Sequence, residues 1–102
     1  MKKIYFTLTG TKYHYGKDFI EPGMNLMLEK EPDNEYDKEA IKVVFEGLGT
    51  IGHVANSPYT VVGEQSYSAG RLYDKIGDTI PCQVVVKLDH GILCFVEIEA
   101  NE

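Results

Sequence analysis

Two pairs of neighbouring residues could bind a ligand by stacking and by hydrogen bonding. Tyr13 follows Lys12 near the N-terminus, and Tyr36 stands directly before Asp37 in a polar turn segment. A tyrosine in a loop can stack on a nucleobase, which is worth about 1–3 kcal/mol and requires no net positive charge. A carboxylate repels phosphate, so Asp37 beside such a stack suits a ligand that offers a hydroxyl donor. These residue types therefore indicate stacking on a base combined with recognition of a hydroxyl group.

The sequence contains no pattern that is typical of a metal centre or of a catalytic site. The three histidines are far apart, and neither Cys-x-x-Cys nor His-x-x-x-His occurs, so the usual zinc-ligand spacing is missing. Gly-x-Ser-x-Gly and Gly-x-x-x-x-Gly-Lys, which mark a nucleophile elbow and a phosphate-binding loop, do not occur either. A triad assembled in space stays open at this level. We expect a protein that is not an enzyme and that uses no metal or cofactor.

Cys82 and Cys94 are expected to be free thiols, since they lie on the last two predicted strands at positions that do not pair. With a hairpin turn at Asp89-His90, Cys94 faces Val85, and a turn one residue later also keeps the two cysteines apart. Free thiols fit a reducing compartment.

Length, composition and charge limit the class of protein. A chain of 102 residues with 43% hydrophobic residues is one domain, residues 1–102, with a real core. The net charge of −6 argues against a generic polyanion binder, because sequence-blind affinity for nucleic acid comes from excess Lys and Arg. No apolar run reaches the ~18 residues of a membrane span, and the N-terminal residues alternate as in a strand rather than a signal peptide. We expect a cytoplasmic protein with no membrane partner.

Alternating apolar residues predict six strands. They cover residues 3–9, 24–29, 40–45, 50–54, 80–88 and 92–99. Ser57-Pro58 is typical of a helix N-cap followed by a first-turn proline, so we expect helix only within residues 57–76, broken by Gly63 and Gly70. Six strands with a short helical insert close most naturally as a small barrel or packed sheet.

The hairpin between the third and fourth strands determines where His53 lies. A four-residue loop at positions 46–49 would pair Phe45 with Thr50 and would set His53 opposite Lys42. His53 would then lie on the mixed face of the hairpin, beside a lysine.

The chain closely resembles the HIRAN domain in its acidic turn segment. Residues 31–43 read Glu-Pro-Asp-Asn-Glu-Tyr-Asp-Lys-Glu-Ala-Ile-Lys-Val, and residues 50–54 read Thr-Ile-Gly-His-Val. The family hallmark is acidic-Pro-x-Asn-x-Tyr-Asp-x-x-Ala-Ile-x-Val, then an apolar-Gly-aromatic/His-apolar strand. Leu-Thr-Gly at 8–10, followed by Lys-Tyr-His at 12–14, is similar to the family's opening. The resemblance covers roughly residues 4–76 and implies a six-stranded barrel related to the OB-fold, with a short helical insert.

The resemblance also implies a function in DNA binding. HIRAN domains occur beside SNF2-type helicase and nuclease domains and as free-standing proteins. In helicase-linked members the domain grips the free 3′ end of single-stranded DNA. For this chain it implies a non-catalytic module with a DNA-repair role. Its partners would be single-stranded DNA with a free 3′-hydroxyl and a separate helicase or nuclease subunit.

The family's DNA-contacting positions can be carried over to residues of this chain. The resemblance implies that Asn34, Tyr36 and Asp37 form the end-binding loop, with Tyr36 stacked on the terminal base and Asp37 accepting a hydrogen bond from the 3′-hydroxyl. It further implies that Lys12 contacts a phosphate and that Tyr13 packs on the DNA. His14 stands where another aromatic residue is usual, and His53 falls on a position that contacts the DNA backbone.

Other interpretations of the same residues stay open. Asp37 could cap the turn while Tyr36 covers the edge of the core, and Asn34 could adopt a left-handed conformation. Tyr13 could be a lid on the barrel. Residues 29–39, here called the acidic segment, hold six carboxylates against two lysines, which repels DNA over about 8 Å at physiological salt. The alternative function is therefore a protein-interaction module on the same fold, using this segment or a strand edge.

Overall fold

Six antiparallel strands form a closed barrel in a computed structural model that describes residues 1–57, 59–63 and 65–99. Around the barrel the strand order is β1-β4-β3-β2-β5-β6. The strands are β1 Lys2–Thr9, β2 Asn25–Lys30, β3 Ile41–Phe45, β4 Gly49–Val54, β5 Thr79–Leu88 and β6 Gly91–Ile98. The mostly β fold, a small six-stranded OB-like barrel with a short helix, is confirmed.

Strand β1 closes the barrel unevenly. It pairs with β6 along nearly its whole length, whereas with β4 it pairs only at Leu8–Val54 and Thr9–His53. Beyond that point the backbone of the insert, residues 55–78, takes over: the amide of Ala55 donates to the carbonyl of Thr7, and that of Tyr67 to the carbonyl of Tyr5. The insert is thus part of the barrel wall, and its contacts with β1 fix the chain just after β4.

The core follows the predicted alternation with one exception on β1. Ile4, Phe6 and Leu8 are buried as expected, yet Thr7 on the opposite face is also fully buried. The insert lies over that face, and the Thr7 hydroxyl accepts a hydrogen bond from the amide of Val62 at 2.9 Å. A polar side chain buried in this way needs such a partner, which the strand pattern alone does not reveal.

The prediction for the helical insert is too long. Among the described residues there is one α-helix, α1, which spans Ala69–Tyr73 and has Ser68 as its N-cap. The Ser57 hydroxyl instead accepts from the amide of Tyr59 and closes a local turn; Pro58 lies outside the described residues. The Ser57 carbonyl accepts from the amides of Thr60 and Val61, so a single helical turn forms there and does not continue into a helix. The expected break at Gly70 is wrong, because Gly70 lies within α1.

The β3–β4 hairpin is one residue tighter at its turn than predicted. Phe45 pairs with Gly49 rather than with Thr50, because the Leu48 amide donates to the Phe45 carbonyl and Gly49 adopts φ +103°. A bulge further along the hairpin restores the register, so His53 lies opposite Lys42 as expected.

A second bulge shifts the β5–β6 hairpin. Leu88 pairs with Gly91 across the Asp89-His90 turn, but the register then shifts and Cys94 faces Val84 instead of Val85. The prediction that the cysteines do not pair is confirmed: both are buried free thiols.

Candidate nucleic-acid interface

Asn34 holds the tip of the acidic segment in place. Its Oδ1 accepts hydrogen bonds from the amides of both Tyr36 and Asp37, each at 2.9 Å. No non-glycine residue in the described ranges has a positive φ, so the left-handed interpretation of Asn34 is wrong and its side chain fixes the turn instead. In this turn the Tyr36 side chain is 93% exposed and does not cover the core.

The Asp37 carboxylate is oriented from two sides. Its Oδ1 accepts from the amide of Glu39 at 2.9 Å, and its Oδ2 accepts from Nδ2 of Asn56 at 3.0 Å. Asn56 is held in turn, because its Oδ1 accepts from the amide of Gly70 at 2.8 Å. A carboxylate offers about four acceptor positions, so these two bonds orient the group and leave acceptor capacity for a ligand hydroxyl.

His53 joins the acidic segment to the loop that follows β1. Its Nε2 lies 2.8 Å from Oε1 of Glu31, and its ring centroid is 6.1 Å from that of His14. Through the backbone it pairs with Thr9 at the end of β1. Three parts of the chain that are distant in sequence therefore meet at the end of β4.

Tyr13 and Lys12 lie on a single turn of 3₁₀ helix, Thr11–Tyr13, that begins directly after β1. Gly10 precedes it with φ +76°, a conformation that glycine adopts without strain. The Lys12 ammonium is 5.1 Å from the centroid of the Tyr13 ring, within range of a cation–π contact. Because Tyr13 is 76% exposed, it is not a buried lid, and its ring is open to a ligand.

Contacts bring together some of the predicted site residues. Asn34, Tyr36 and Asp37 share one hydrogen-bonded turn, which Asn56 connects to the end of β4, close to His53. Lys12, Tyr13 and His14 are consecutive, and His14 approaches His53. The resemblance also predicts that Tyr13, Tyr36, Asp37 and His53 converge on one surface groove. Within the described ranges the rings of Tyr13 and Tyr36 do not pack on each other, and the shared groove stays a prediction.

Two carboxylates of the acidic segment form ion pairs with residues outside the segment. Glu29 lies 3.6 Å from the Lys42 ammonium, and Glu31 is held by His53. Such exposed pairs contribute only about 0–1 kcal/mol each to stability. They nevertheless direct these two carboxylates toward neighbouring strands.

Sequence reasoning missed Asn56, Lys17 and His90. Lys17 and His90 line a cleft of about 520 Å³ beside Tyr13, between the 3₁₀ helix and the β5–β6 turn. None of the three belongs to a short motif, and each becomes relevant only through the barrel's topology. For Lys17 the sequence did offer a signal, because this lysine lies in a loop rich in aromatic residues, residues 11–21, that belongs to no predicted strand. This loop is called the aromatic loop below.

Neither metal ligands nor a reactive thiol accompany this interface in the described part of the chain. No three His, Cys, Asp or Glu residues there are grouped so that they could hold a metal ion. Burial raises the pKa of the Cys94 thiol to about 12, and burial together with the neighbouring Cys94 raises the pKa of Cys82 further. Thiols that stay protonated are poor nucleophiles.

No helix among the described residues is long and apolar enough to cross a bilayer.

Comparison with protein-family models gives a match over most of the chain. The family model described as the HIRAN domain matches residues 1–89 of the 102-residue chain. The matched part includes the aromatic loop, the acidic segment and all seven predicted site residues. No curated protein and no solved structure matches the chain.

Proposed function

The chain belongs to the HIRAN domain family, a family of nucleic-acid-binding modules, and from that premise we propose that it binds the free 3′ end of single-stranded DNA. The observation that carries the proposal is the Tyr36–Asp37 pair. An almost fully exposed aromatic ring stands beside a carboxylate that two hydrogen bonds hold in a fixed orientation. This pair combines a surface for a base with an acceptor for a hydroxyl.

Recognition of the DNA end combines two independent interactions, stacking on Tyr36 and a hydrogen bond to Asp37. The exposed Tyr36 ring stacks on the terminal base, and stacking tolerates any base because every base has a π-face. The Asp37 carboxylate accepts a hydrogen bond from the 3′-hydroxyl and repels a 3′-phosphate. Asn34 positions both residues through its two backbone hydrogen bonds.

The residues that follow β1, together with His53, supply contacts further from the 3′ end of the DNA. Lys12 meets a phosphate, Tyr13 packs on the DNA, and His14 and His53 lie beside the backbone. Lys12 offers a single ammonium rather than the planar fork of an arginine, so each phosphate contact is weak. We expect weak binding with a shallow salt dependence, about −0.7 in the logarithmic slope for each phosphate contact.

The proposal includes no catalysis. The domain would deliver or retain a DNA end for a separate helicase or nuclease subunit in the cytoplasm, in a pathway of DNA repair. The alternative is a protein-interaction module on the same fold that uses the acidic segment or a strand edge. The closed barrel argues against the strand edge, because each of the six strands already has two neighbours, and leaves the acidic segment as the docking surface of that alternative.

The test compares short single-stranded oligonucleotides that end in a 3′-hydroxyl or a 3′-phosphate, measured by fluorescence anisotropy. The wild-type protein is expected to prefer the hydroxyl. Tyr36→Ala should lose about 1–3 kcal/mol of binding, a factor of roughly 5 to 150, whereas Tyr36→Phe should retain the stacking. Asp37→Asn should reduce the preference between the two ends, because it removes the charge that repels phosphate.

A matched carboxylate control separates end recognition from net charge. Glu46→Gln makes the same change of charge at the exposed β3–β4 turn, at the far end of that hairpin from Asp37, and should leave the preference intact. Equal affinity of the wild-type protein for both ends, or full affinity in folded Tyr36→Ala, would favour the protein-interaction function instead.

A further inference from the structure

The cleft beside Tyr13 is separate from the turn that holds Tyr36 and Asp37. It lies between the 3₁₀ helix and the β5–β6 turn, and its volume is about 520 Å³. Its floor is the backbone where β1 ends and β6 begins. The polar and aromatic side chains that line it include Lys12, Tyr13, Lys17, Thr60, Asp89 and His90.

The lining has a different charge balance from the rest of the molecule. The whole chain carries −6, yet the cleft presents two lysines against the single carboxylate of Asp89, and His90 adds a ring N–H donor beside them. Concave sites focus the field of the charges that line them. An anionic group is therefore attracted to this cleft, although the protein as a whole is acidic.

The cleft walls are tied together before any ligand binds. The Lys17 ammonium donates to the carbonyl of Leu88 at 3.3 Å, and the Lys87 ammonium donates to the carbonyl of Lys17 at 3.5 Å. These bonds connect the aromatic loop to the end of β5. A largely preformed site loses less conformational entropy when it binds a ligand.

The position of β1 connects the cleft to the end-binding turn. At its end β1 pairs on one side with His53 of β4, next to the acidic segment, and on the other side with Ile92 of β6, at the cleft. Neighbouring strands are about 4.8 Å apart, so the two sites are separated by roughly 10 Å across β1. Lys12 and Tyr13 extend from the end of β1 between them.

We propose that this cleft binds the nucleotides that precede the 3′ end, with Lys17 and His90 as additional contacts to a backbone phosphate beside the Lys12 and Tyr13 contacts proposed above. The proposal rests on the function proposed above and names a second contact region for the same strand. Nucleic acid is the ligand class that needs both a cation for phosphate and an exposed aromatic ring for a base.

The experiment measures how affinity grows with oligonucleotide length. We compare a dinucleotide with an oligonucleotide of about eight nucleotides, each with a 3′-hydroxyl, against the wild-type protein and Lys17→Gln, His90→Gln and the double variant. The wild type should bind the longer strand more tightly. In the double variant the ratio of the affinities for the longer and the shorter strand should fall about tenfold, as expected for the loss of one charge-assisted hydrogen bond. The slope of its affinity against salt concentration, on logarithmic axes, should become shallower by about 0.7. Affinity for the dinucleotide should stay unchanged.

Lys2→Gln is the matched control, because it removes the same charge from an exposed lysine at the opposite end of β1. It should retain the gain with length. In parallel, adding the longer strand to the wild-type protein should shift the backbone amide resonances of Gly16 and Gly91, which line the cleft, while the dinucleotide should leave them in place.

The outcomes separate this proposal from the one on which it rests. A length gain that survives in the double variant overturns the cleft proposal even if the 3′-hydroxyl is preferred. A length gain lost in the double variant supports the cleft even if both end types bind equally, in which case end recognition alone has failed. If the wild-type protein binds no single strand of either length, both proposals fail.

Discussion

Two asparagines shape the candidate interface, and each uses its carboxamide differently. Asn34 accepts two backbone hydrogen bonds and thereby creates the turn that exposes Tyr36. Asn56 donates to Asp37 and accepts from Gly70, so it connects the acidic segment to helix α1. The carboxylate is therefore oriented by parts of the chain on both sides of the β3–β4 hairpin, which keeps it in place when a ligand approaches.

The buried thiols predict a specific loss of stability at alkaline pH. Burial raises the pKa of Cys94 from its ordinary value of 9.0 to about 12. Above pH 9 the unfolded chain releases this proton while the folded protein keeps it, so stability falls as the pH rises. The contribution is fully present below pH 9 and decreases by about 1 kcal/mol per pH unit between the two values.

Urea unfolding under reducing conditions, from about pH 8 to about pH 10, measures this slope. Cys94→Ala lowers stability at every pH because it leaves a small cavity, but its curve should be flatter than that of the wild type above pH 9. Parallel curves would show that the thiol ionises equally in both states. A thiol titration of the unfolded, non-reduced protein should find both cysteines.

Among the residues of the candidate interface, the sequence identifies those that belong to a continuous motif and misses those that do not. Asn34, Tyr36 and Asp37 lie within four positions, so local hydrogen bonding already predicts a shared turn. Asn56, Lys17 and His90 join the site only because β1 brings β4 and β6 together. Long-range juxtaposition of this kind follows from strand order, which the alternating pattern does not specify.

At the scale of elements, Gly52 allows β4 to approach β1 closely. A Cβ atom at this position would lie 2.6 Å from the Thr9 carbonyl oxygen and 2.6 Å from Cδ1 of Leu8. The backbone oxygen cannot move away without disturbing the pair between Thr9 and His53. We therefore expect Gly52→Ala to lower the free energy of unfolding by about 1–3 kcal/mol, measured by urea denaturation.

Gly77→Ala serves as the reference for this substitution. Gly77 is exposed, its φ is not positive, and a Cβ atom there would meet nothing within 4 Å. Its stability should stay within about 0.5 kcal/mol of the wild type. If both alanine variants were equally stable, the close approach of β1 and β4 would not constrain the barrel.

The strands were predictable from the sequence because their alternation is continuous, and the insert was not. Each predicted strand overlaps the observed one, with ends displaced by a residue or so. Between β4 and β5, Ser57 offers a helix start, but pairing of Ala55 and Tyr67 with β1 satisfies backbone groups that a helix would otherwise use. Tertiary hydrogen bonding therefore overrides the local helix preference in this part of the chain.

At the scale of the whole molecule, closure of the barrel depends on its last strand. The family match ends at residue 89, yet β6, Gly91–Ile98, pairs with both β5 and β1. Its side chains Ile92, Cys94 and Val96 are buried in the core. Without β6 the barrel would have two open edges and would lose one side of its hydrophobic core.

We expect a chain that ends after residue 89 to lose the native fold, although it contains the matched family segment and every predicted DNA-contacting residue. Each buried aliphatic side chain of β6 contributes about 1.5–3 kcal/mol, and a small domain has only about 5–15 kcal/mol of total stability. Backbone amide dispersion by NMR and size-exclusion chromatography measure the outcome, with collapse or aggregation expected. A chain ending at Glu99 keeps all six strands and should stay folded. A folded, monomeric chain of 89 residues would mean that β6 is dispensable and that the barrel can close between β5 and β1.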